Sequence, residues 1–278
     1  MRIEKVINNN VVSARDLNDR EVVVMGKGIG FKVKEGCEIC EDKIEKIFHM
    51  DNQNSSDIFK ELLVNLPIEH IQVSSDIISY AKDVLNKKLN QNIYITLTDH
   101  INFAVERFKQ GMMFQNPLLW EVQSFYRQEY LIGEYAVALI RKELGIFLPV
   151  DEVASIALHI VNAEYDTCMG EAMNITKMIP VVLGIVREHF KAEIDERTLH
   201  YERFITHLKF LAQRVVKSEL LDNKETEFRS MIEKLYPEEY KCSEEIAQYI
   251  GEHFQHQITG EELAYLTVHI RRVVLADS

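Results

Sequence analysis

Four histidines occupy matched places in a repeated pattern, and histidine is the side chain whose charge and nucleophilicity change near neutral pH. Residues 152–160 read EVASIALHI and residues 262–270 read ELAYLTVHI. Both follow E-x-A-x-[Ile/Leu]-x-[Leu/Val]-His-Ile with a shift of 110 positions, so His159 and His269 are equivalent. The same shift carries Glu134 to Glu244, Ile140 to Ile250, Leu144 to Phe254 and Leu148 to Ile258. Upstream, Thr98-Asp99-His100-Ile101 corresponds to Ile205-Thr206-His207-Leu208. The histidines of a copy are 59 residues apart in the first and 62 in the second. Such a period is too long for a solenoid and fits tandem duplication of a helical domain.

Three chemistries could use these side chains, beside the plain alternative of a core histidine with one hydrogen bond. Repetition removes chance as an explanation and leaves common structural ancestry. A metal site needs further ligands at close helical spacing, such as H-x-x-x-H or H-E-x-x-H, and neither occurs. Asp99 cannot share a helix face with its neighbour His100. Acid–base or nucleophilic catalysis needs a recurring Ser, Cys or Lys near each histidine, and none recurs. A phosphoryl acceptor needs only a neutral, reachable imidazole nitrogen and a donor able to dock.

These histidines must be positioned by the longer, helical part of the chain. Its 278 residues are 46% hydrophobic, enough for two or three domains. No apolar run approaches the roughly 18 residues of a membrane span, and the N-terminus lacks a signal-like apolar stretch. Four scattered cysteines, Cys37, Cys40, Cys168 and Cys242, do not make a disulfide framework and suit a reducing cytoplasm. Cys37-Glu38-Ile39-Cys40 has no second cysteine pair to complete a zinc site, so it reads as two free thiols.

Charge is unevenly spread. The net −12 falls entirely on residues 51–278, with 23 basic against 35 acidic side chains. Residues 1–34 carry seven basic and four acidic side chains, a local positive balance. Affinity for nucleic acid follows local basic charge, so a small basic head on an acidic body is compatible with a nucleic-acid module.

That head reads as short strands at Ile3–Ile7, Val11–Ala14, Glu21–Met25 and Gly30–Lys34, broken by Asn8-Asn9-Asn10, by 16–19 and by the glycine-rich 26–30. About 50 residues give a small core, so dimerisation is expected to stabilise it. Gly26-Lys27-Gly28-Ile29-Gly30 is not G-x-G-x-x-G and leads into alternating residues instead of a helix, which argues for a tight turn presenting backbone and Lys27. The asparagines are either ordinary turn residues or, with Lys5, Lys27 and an exposed Phe31, a set suited to RNA. In that set amides read base edges, lysines meet phosphates and the aromatic stacks on an unpaired base.

Residues 51–57 read as a polar linker. Helical periodicity follows over 58–64, 75–89, 93–109, 116–127, 133–144 and 150–163, with Ser75 or Asp76 as a cap for the second. Residues 164–176 read as a second linker. Helices then recur over 180–190, 196–216, 225–235, 243–254 and 260–276, the last opened by a capping-box-like Thr259-Gly260-Glu261-Glu262.

The opening MRIEKVINNNVVSA, then VVVMGKGIGF, LTDHINFA, IALHIVNAE, THLKFLAQR and LTVHI, resembles the BglG/SacY family of bacterial transcriptional antiterminators, LicT-type β-glucoside members above all. The resemblance spans essentially the whole chain. It implies a multidomain α+β protein: a small antiparallel β-barrel-like RNA-binding domain at 1–56, dimeric, then two homologous all-α regulation domains at 57–170 and 171–278. Carried over, the RNA-contacting residues are Lys5, Asn8, Asn10, Gly26, Lys27 and Phe31, with Lys27 keeping the charge where relatives often carry arginine. The regulatory phosphohistidines are His100 and His159 in the first domain, His207 and His269 in the second. The implied partners are a hairpin in an mRNA leader, the phosphocarrier HPr and a sugar-specific enzyme II permease of the phosphotransferase system. The resemblance implies a cytoplasmic homodimer with no catalytic residue, metal or cofactor. The permease would switch it off through the first domain and HPr would favour activity through the second. The alternative is a DNA-binding activator with the same regulation domains, which requires a helix-turn-helix head.

Overall fold

The computed structural model describes residues 1–16, 19–49, 53–112, 114–219 and 226–275. The head is an antiparallel sheet of β1 (Arg2–Asn8), β2 (Val11–Arg15), β3 (Glu21–Met25) and β4 (Lys46–His49), in the order β1-β2-β3-β4. One strand differs from the sequence expectation. The fourth strand is Lys46–His49, paired with Val22–Met25, and residues 30–34 do not extend. Lys32 adopts φ +56, a left-handed value incompatible with a strand. The only helix within 1–49 among the described residues is a single 3-10 turn at Glu41–Lys43, so the head lacks the helices that a helix-turn-helix requires.

The sheet is buried on both faces, which explains why β3 is apolar from Val22 to Met25 and does not alternate there. One face gathers Ile3, Val12, Ala14, Val22, Val24, Ile29 and Ile39. The other sets Val11, Val23, Met25 and Phe48 against Phe59 and Leu63 of α1 (Gln53–Asn65) and Ile71 of α2 (Ile68–Leu85). Phe48 meets Phe59 edge-on at 5.0 Å and Tyr94 at 5.1 Å. Within this chain, then, helices cover the second face of the sheet.

The remaining helices are α3 (Ile93–Lys109), α4 (Leu119–Phe125), α5 (Arg127–Leu144), α6 (Asp151–Tyr165), α7 (Met169–Phe190), α8 (Leu199–Lys217), α9 (Thr226–Leu235), α10 (Pro237–Phe254) and α11 (Gly260–Leu275). By contacts the chain divides into two compact units, Met1–Leu119 with Tyr126–Thr167, and Trp120–Phe125 with Cys168–Ser278. In the first, α2 packs on α3 and α5, and α6 on α3 and α5. In the second, α7 packs on α8 and α10, and α11 on α8 and α10. The four-helix pairing is thus the same in both, as the repeat in the sequence requires. The extra three residues of the second copy fall between α8 and α10, since α5 and α10 already start 110 positions apart.

Helix starts are where sequence signals misled. Helix α1 begins at Gln53, inside the expected linker; residues 51 and 52 of that linker lie outside the described residues. Helix α2 begins at Ile68, so Ser75 is mid-helix and buried; its neighbour Ser74 is accommodated by donating to the His70 carbonyl at 2.7 Å. The stretch 164–176 is mostly helix: Cys168 N–H donates to Glu171 at 2.8 Å to open α7, and Ala172, Ile175, Ile179, Val182 and Val186 form its buried stripe. Pro180 lies inside this helix, not at its start. Among the described residues α7 is the one helix long and apolar enough to cross a membrane, with mean hydropathy 1.3, yet its apolar stripe packs on α8 and α10 as a core helix does.

The seams between matched helices use different chemistry. A Cβ on Gly133 of α5 would come within 2.3 Å of the Val153 carbonyl oxygen of α6. The residue 110 positions on is Ser243, whose hydroxyl lies 2.8 Å from that of Thr267 on α11. Gly133→Ala should therefore lower stability by about 1–3 kcal/mol through overpacking, whereas Ser243→Ala should cost about 1 kcal/mol for the lost hydrogen bond. Denaturant unfolding of the two variants checks the order; a more stable Gly133→Ala protein would contradict this packing.

Candidate functional site

In each helical copy the two matched histidines meet. His100 on α3 and His159 on α6 have ring centroids 4.7 Å apart at 39°. His207 on α8 and His269 on α11 stack at 4.3 Å and 23°. The sequence pairing of His100 with His207 and His159 with His269 places each pair on corresponding helices. All four side chains are half-buried.

A buried ion pair stands beside each histidine pair. Glu152, 1% exposed, accepts hydrogen bonds from Arg107 Nη2 and, at 3.0 Å, from His100 Nε2. Glu262, 0% exposed, is held by Arg214 through both nitrogens of the guanidinium fork, at 2.6 and 2.8 Å. The Arg107 guanidinium also lies over the Phe103 and Phe114 rings at 5.1 and 4.4 Å, a cation–π arrangement. Neither arginine is singled out by the sequence patterns above, and the glutamates enter them only as the leading residue of the repeat. The signal was present: an arginine follows the first histidine of each copy by seven residues, and a glutamate precedes the second by seven. Two helical turns keep such residues on one face.

Burial favours the neutral form of His159, His207 and His269. His159 is lowered from 6.5 to about 3, first by desolvation and then by the charge His100 can carry. His207 is likewise lowered to about 3 by desolvation, by His269 and by Arg214, and His269 is lowered by desolvation and Arg272. His159 Nδ1 and His207 Nε2 are covered and have no hydrogen-bond partner among the described residues. In the first copy His100 Nε2 faces the Glu152 carboxylate; His207 Nε2 has no such acceptor. Among the described residues no cluster of three or more His, Cys, Asp or Glu side chains has the geometry to hold a metal ion.

The head brings its own set together. Gly26 N–H donates to the Asn10 carbonyl at 2.9 Å and Gly30 N–H to that of Asn9 at 3.0 Å, so the asparagine turn and the glycine loop lie side by side. Gly28 N–H donates to Asn10 Oδ1 at 2.9 Å, while Asn8 Oδ1 accepts from Asn10 N–H at 2.8 Å. Asn8 Nδ2 donates to the Leu63 carbonyl of α1 at 3.0 Å. Both asparagines thus build the loops as well as facing them. Gly26 is buried where a Cβ would lie 1.7 Å from the Lys43 carbonyl oxygen, so only glycine fits. Lys5, Lys27 and Phe31 are exposed, Phe31 at 55%. Cys37 and Cys40 are exposed free thiols.

Residues 1–57 match the family model of the CAT RNA binding domain, and residues 75–163 and 182–273 each match the PRD domain. The transcription antiterminator LicT of Bacillus subtilis (strain 168) is 46% identical over 274 residues, covering 99% of both chains. The β-glucoside operon antiterminator of Dickeya chrysanthemi is 39% identical over 273 residues, covering 98% of this chain and 96% of that one. A crystal structure of GlcT CAT-PRDI, 39% identical, aligns with a TM-score of 0.53 over 59% of this chain and 97% of that one. A strand-built head matching an RNA-binding domain, followed by two copies of one helical domain and supported over its whole length by these relatives, makes this chain a member of the BglG/SacY family of transcriptional antiterminators.

Proposed function

We propose that the chain binds a hairpin in a nascent mRNA leader and so prevents an overlapping terminator from forming, in a sugar-utilisation operon of the β-glucoside type. Its activity is set by phosphorylation of His100, His159, His207 and His269. The observation that carries this reading is the recurrence, behind an RNA-binding head, of two histidine pairs packed ring on ring beside buried Glu–Arg pairs. The domains are 1–56 for RNA and 57–170 and 171–278 for regulation.

In the head, Lys5 and Lys27 meet phosphates, Phe31 stacks on an unpaired base, and Asn8, Asn10 and Gly26 shape the surface on which they sit. In the body, the histidines receive phosphoryl groups from HPr and from a sugar-specific enzyme II permease. The P–N bond on the donor histidine breaks as a new one forms to a neutral imidazole nitrogen here, so the chain is an acceptor and not an enzyme. Each phosphoryl group adds about −1.5 to −2 charge. On a body already strongly acidic, bulk charge would make every site inhibitory between the protomers of a cytoplasmic homodimer. Opposite regulatory signs at the two domains therefore require local geometry, and the two histidine pairs differ in how their carboxylate is held.

Three outcomes test this reading. In the full chain, Phe31→Ala should weaken hairpin binding by about 1–3 kcal/mol, the range for one stacked base, and Lys27→Ala should lessen its salt dependence. Gel-shift titrations at two salt concentrations measure both; unchanged binding in the double variant would move the RNA surface elsewhere. Aspartate at His207 and His269 should raise antitermination in a reporter strain and His100→Asp should lower it. Equal loss in both would leave simple repulsion as the explanation. The third outcome concerns pH. His159 and His207 titrate near 3 when folded, against about 6.5 unfolded. The unfolded chain therefore binds more protons below about 6.5, so these residues' contribution to stability is complete above that pH and is lost as pH falls toward 3. His159→Gln should flatten the fall of the thermal midpoint in this window, and a slope equal to that of the parent would contradict the burial of a neutral ring.

A further inference from the structure

In the first copy one carboxylate lies between an imidazole and a guanidinium: Glu152 Oε2 is 3.0 Å from His100 Nε2, and Oε1 accepts from Arg107. The space between ring and guanidinium is therefore one carboxylate wide. A phosphoryl group on that ring would present the same kind of oxygen, with more charge, to the same donors, and a guanidinium fork binds either anion through paired hydrogen bonds. In the second copy Arg214 grips both oxygens of Glu262. Arg107 and Arg214 each follow their histidine by two helical turns, and helix side chains lean toward the N-terminus, so both arginines reach back toward the ring.

On the reading that these histidines accept phosphoryl groups, we propose that Arg107 and Arg214 hold the transferred group on their own histidine pair, and that Glu152 and Glu262 are the internal anions it displaces. The lone pair of a neutral ring nitrogen attacks phosphorus as the donor's P–N bond breaks. The departing nitrogen base takes the proton given up by the other ring nitrogen, so no further reactant is needed. Arg214 also helps keep His207 in the neutral, nucleophilic form.

The displaced carboxylate is what carries the signal onward. Glu152 and Glu262 are 1% and 0% exposed, and a buried carboxylate that loses its guanidinium to a neighbouring dianion cannot remain as it was. It must take up a proton or leave, and leaving opens the α3–α6 or α8–α11 seam. The two copies start from different positions. The Glu152 carboxylate holds the His100 proton on Nε2, so that nitrogen becomes a nucleophile only after Glu152 lets go. His207 Nε2 has no such partner.

The test uses the full chain, potassium phosphoramidate as the phosphoryl donor, peptide mapping by mass spectrometry and phosphorus NMR. Arg214→Gln should slow labelling of His207 and His269 by about tenfold, as expected for removing one charge-stabilising donor from a weakly enclosed site, and leave His100 and His159 as internal controls. Arg107→Gln should do the reverse, and Arg214→Lys should recover part of the rate. Glu262→Gln should lengthen the lifetime of the phosphohistidine, because nothing reclaims the arginine. Loss of fold would expose the rings and speed labelling, so slower labelling cannot come from a damaged bundle. Labelling of both glutamine variants at the parent rate and lifetime would overturn the proposal. If none of the four histidines of the parent chain is labelled while a histidine peptide in the same tube is, the phosphoacceptor reading itself fails.

Discussion

A carboxylate removed from water must be paired or neutralised, and that constraint organises each helical copy of this protein. Glu152 on α6 and Glu262 on α11 are fully buried, and each is matched by an arginine from the facing helix. The pairing ties α3 to α6 and α8 to α11 at a fixed height. Two turns away along the same faces, the histidines are brought into ring contact. Removing one partner of such a pair costs about 3–5 kcal/mol because a buried charge is left alone, so these pairs fix the register as strongly as the surrounding apolar side chains do.

Against this shared frame the copies diverge in their packing and ion pairs. The α5–α6 seam closes by backbone approach at Gly133, whereas α10–α11 closes through the Ser243–Thr267 hydroxyl contact. Arg271 on α11 bonds to the buried Glu239 of α10 at 2.7 Å, a pairing the first copy cannot make with Val161 at the matching position. The first histidine pair shares its carboxylate with the arginine, while in the second both carboxylate oxygens are taken by the guanidinium. A change of charge at each pair thus meets a different set of neighbours.

The head depends on the first helices in a similar way. Its strands are too few to bury two faces unaided, and Phe48 finds its second layer in Phe59 and Tyr94. The same helix α1 holds Asn8 through the Leu63 carbonyl. The asparagine turn of the head and the first helical bundle are therefore physically continuous, through one apolar layer and one hydrogen bond.

Sequence alone determined the duplication, the equivalence of the four histidines and the strand-built head, because these rest on periodicity and on spacing that survives in the chain itself. It places His100, His159, His207 and His269 on matching helices. It misjudged Gly30–Lys34, where a left-handed Lys32 breaks the extension that alternation suggested, and Lys46–His49, whose strand exists because β3 offers it a pairing edge. It took polar residues at 164–176 for a linker, although a buried stripe continues the helix through them. Only the tertiary structure decided that Arg107 and Arg214 belong with the histidines. Their spacing was legible, but an arginine on a helix face is usually solvated. What distinguishes these two is a buried carboxylate contributed by another helix, and a contact between segments 45 and 48 residues apart is set by packing and not by local pattern.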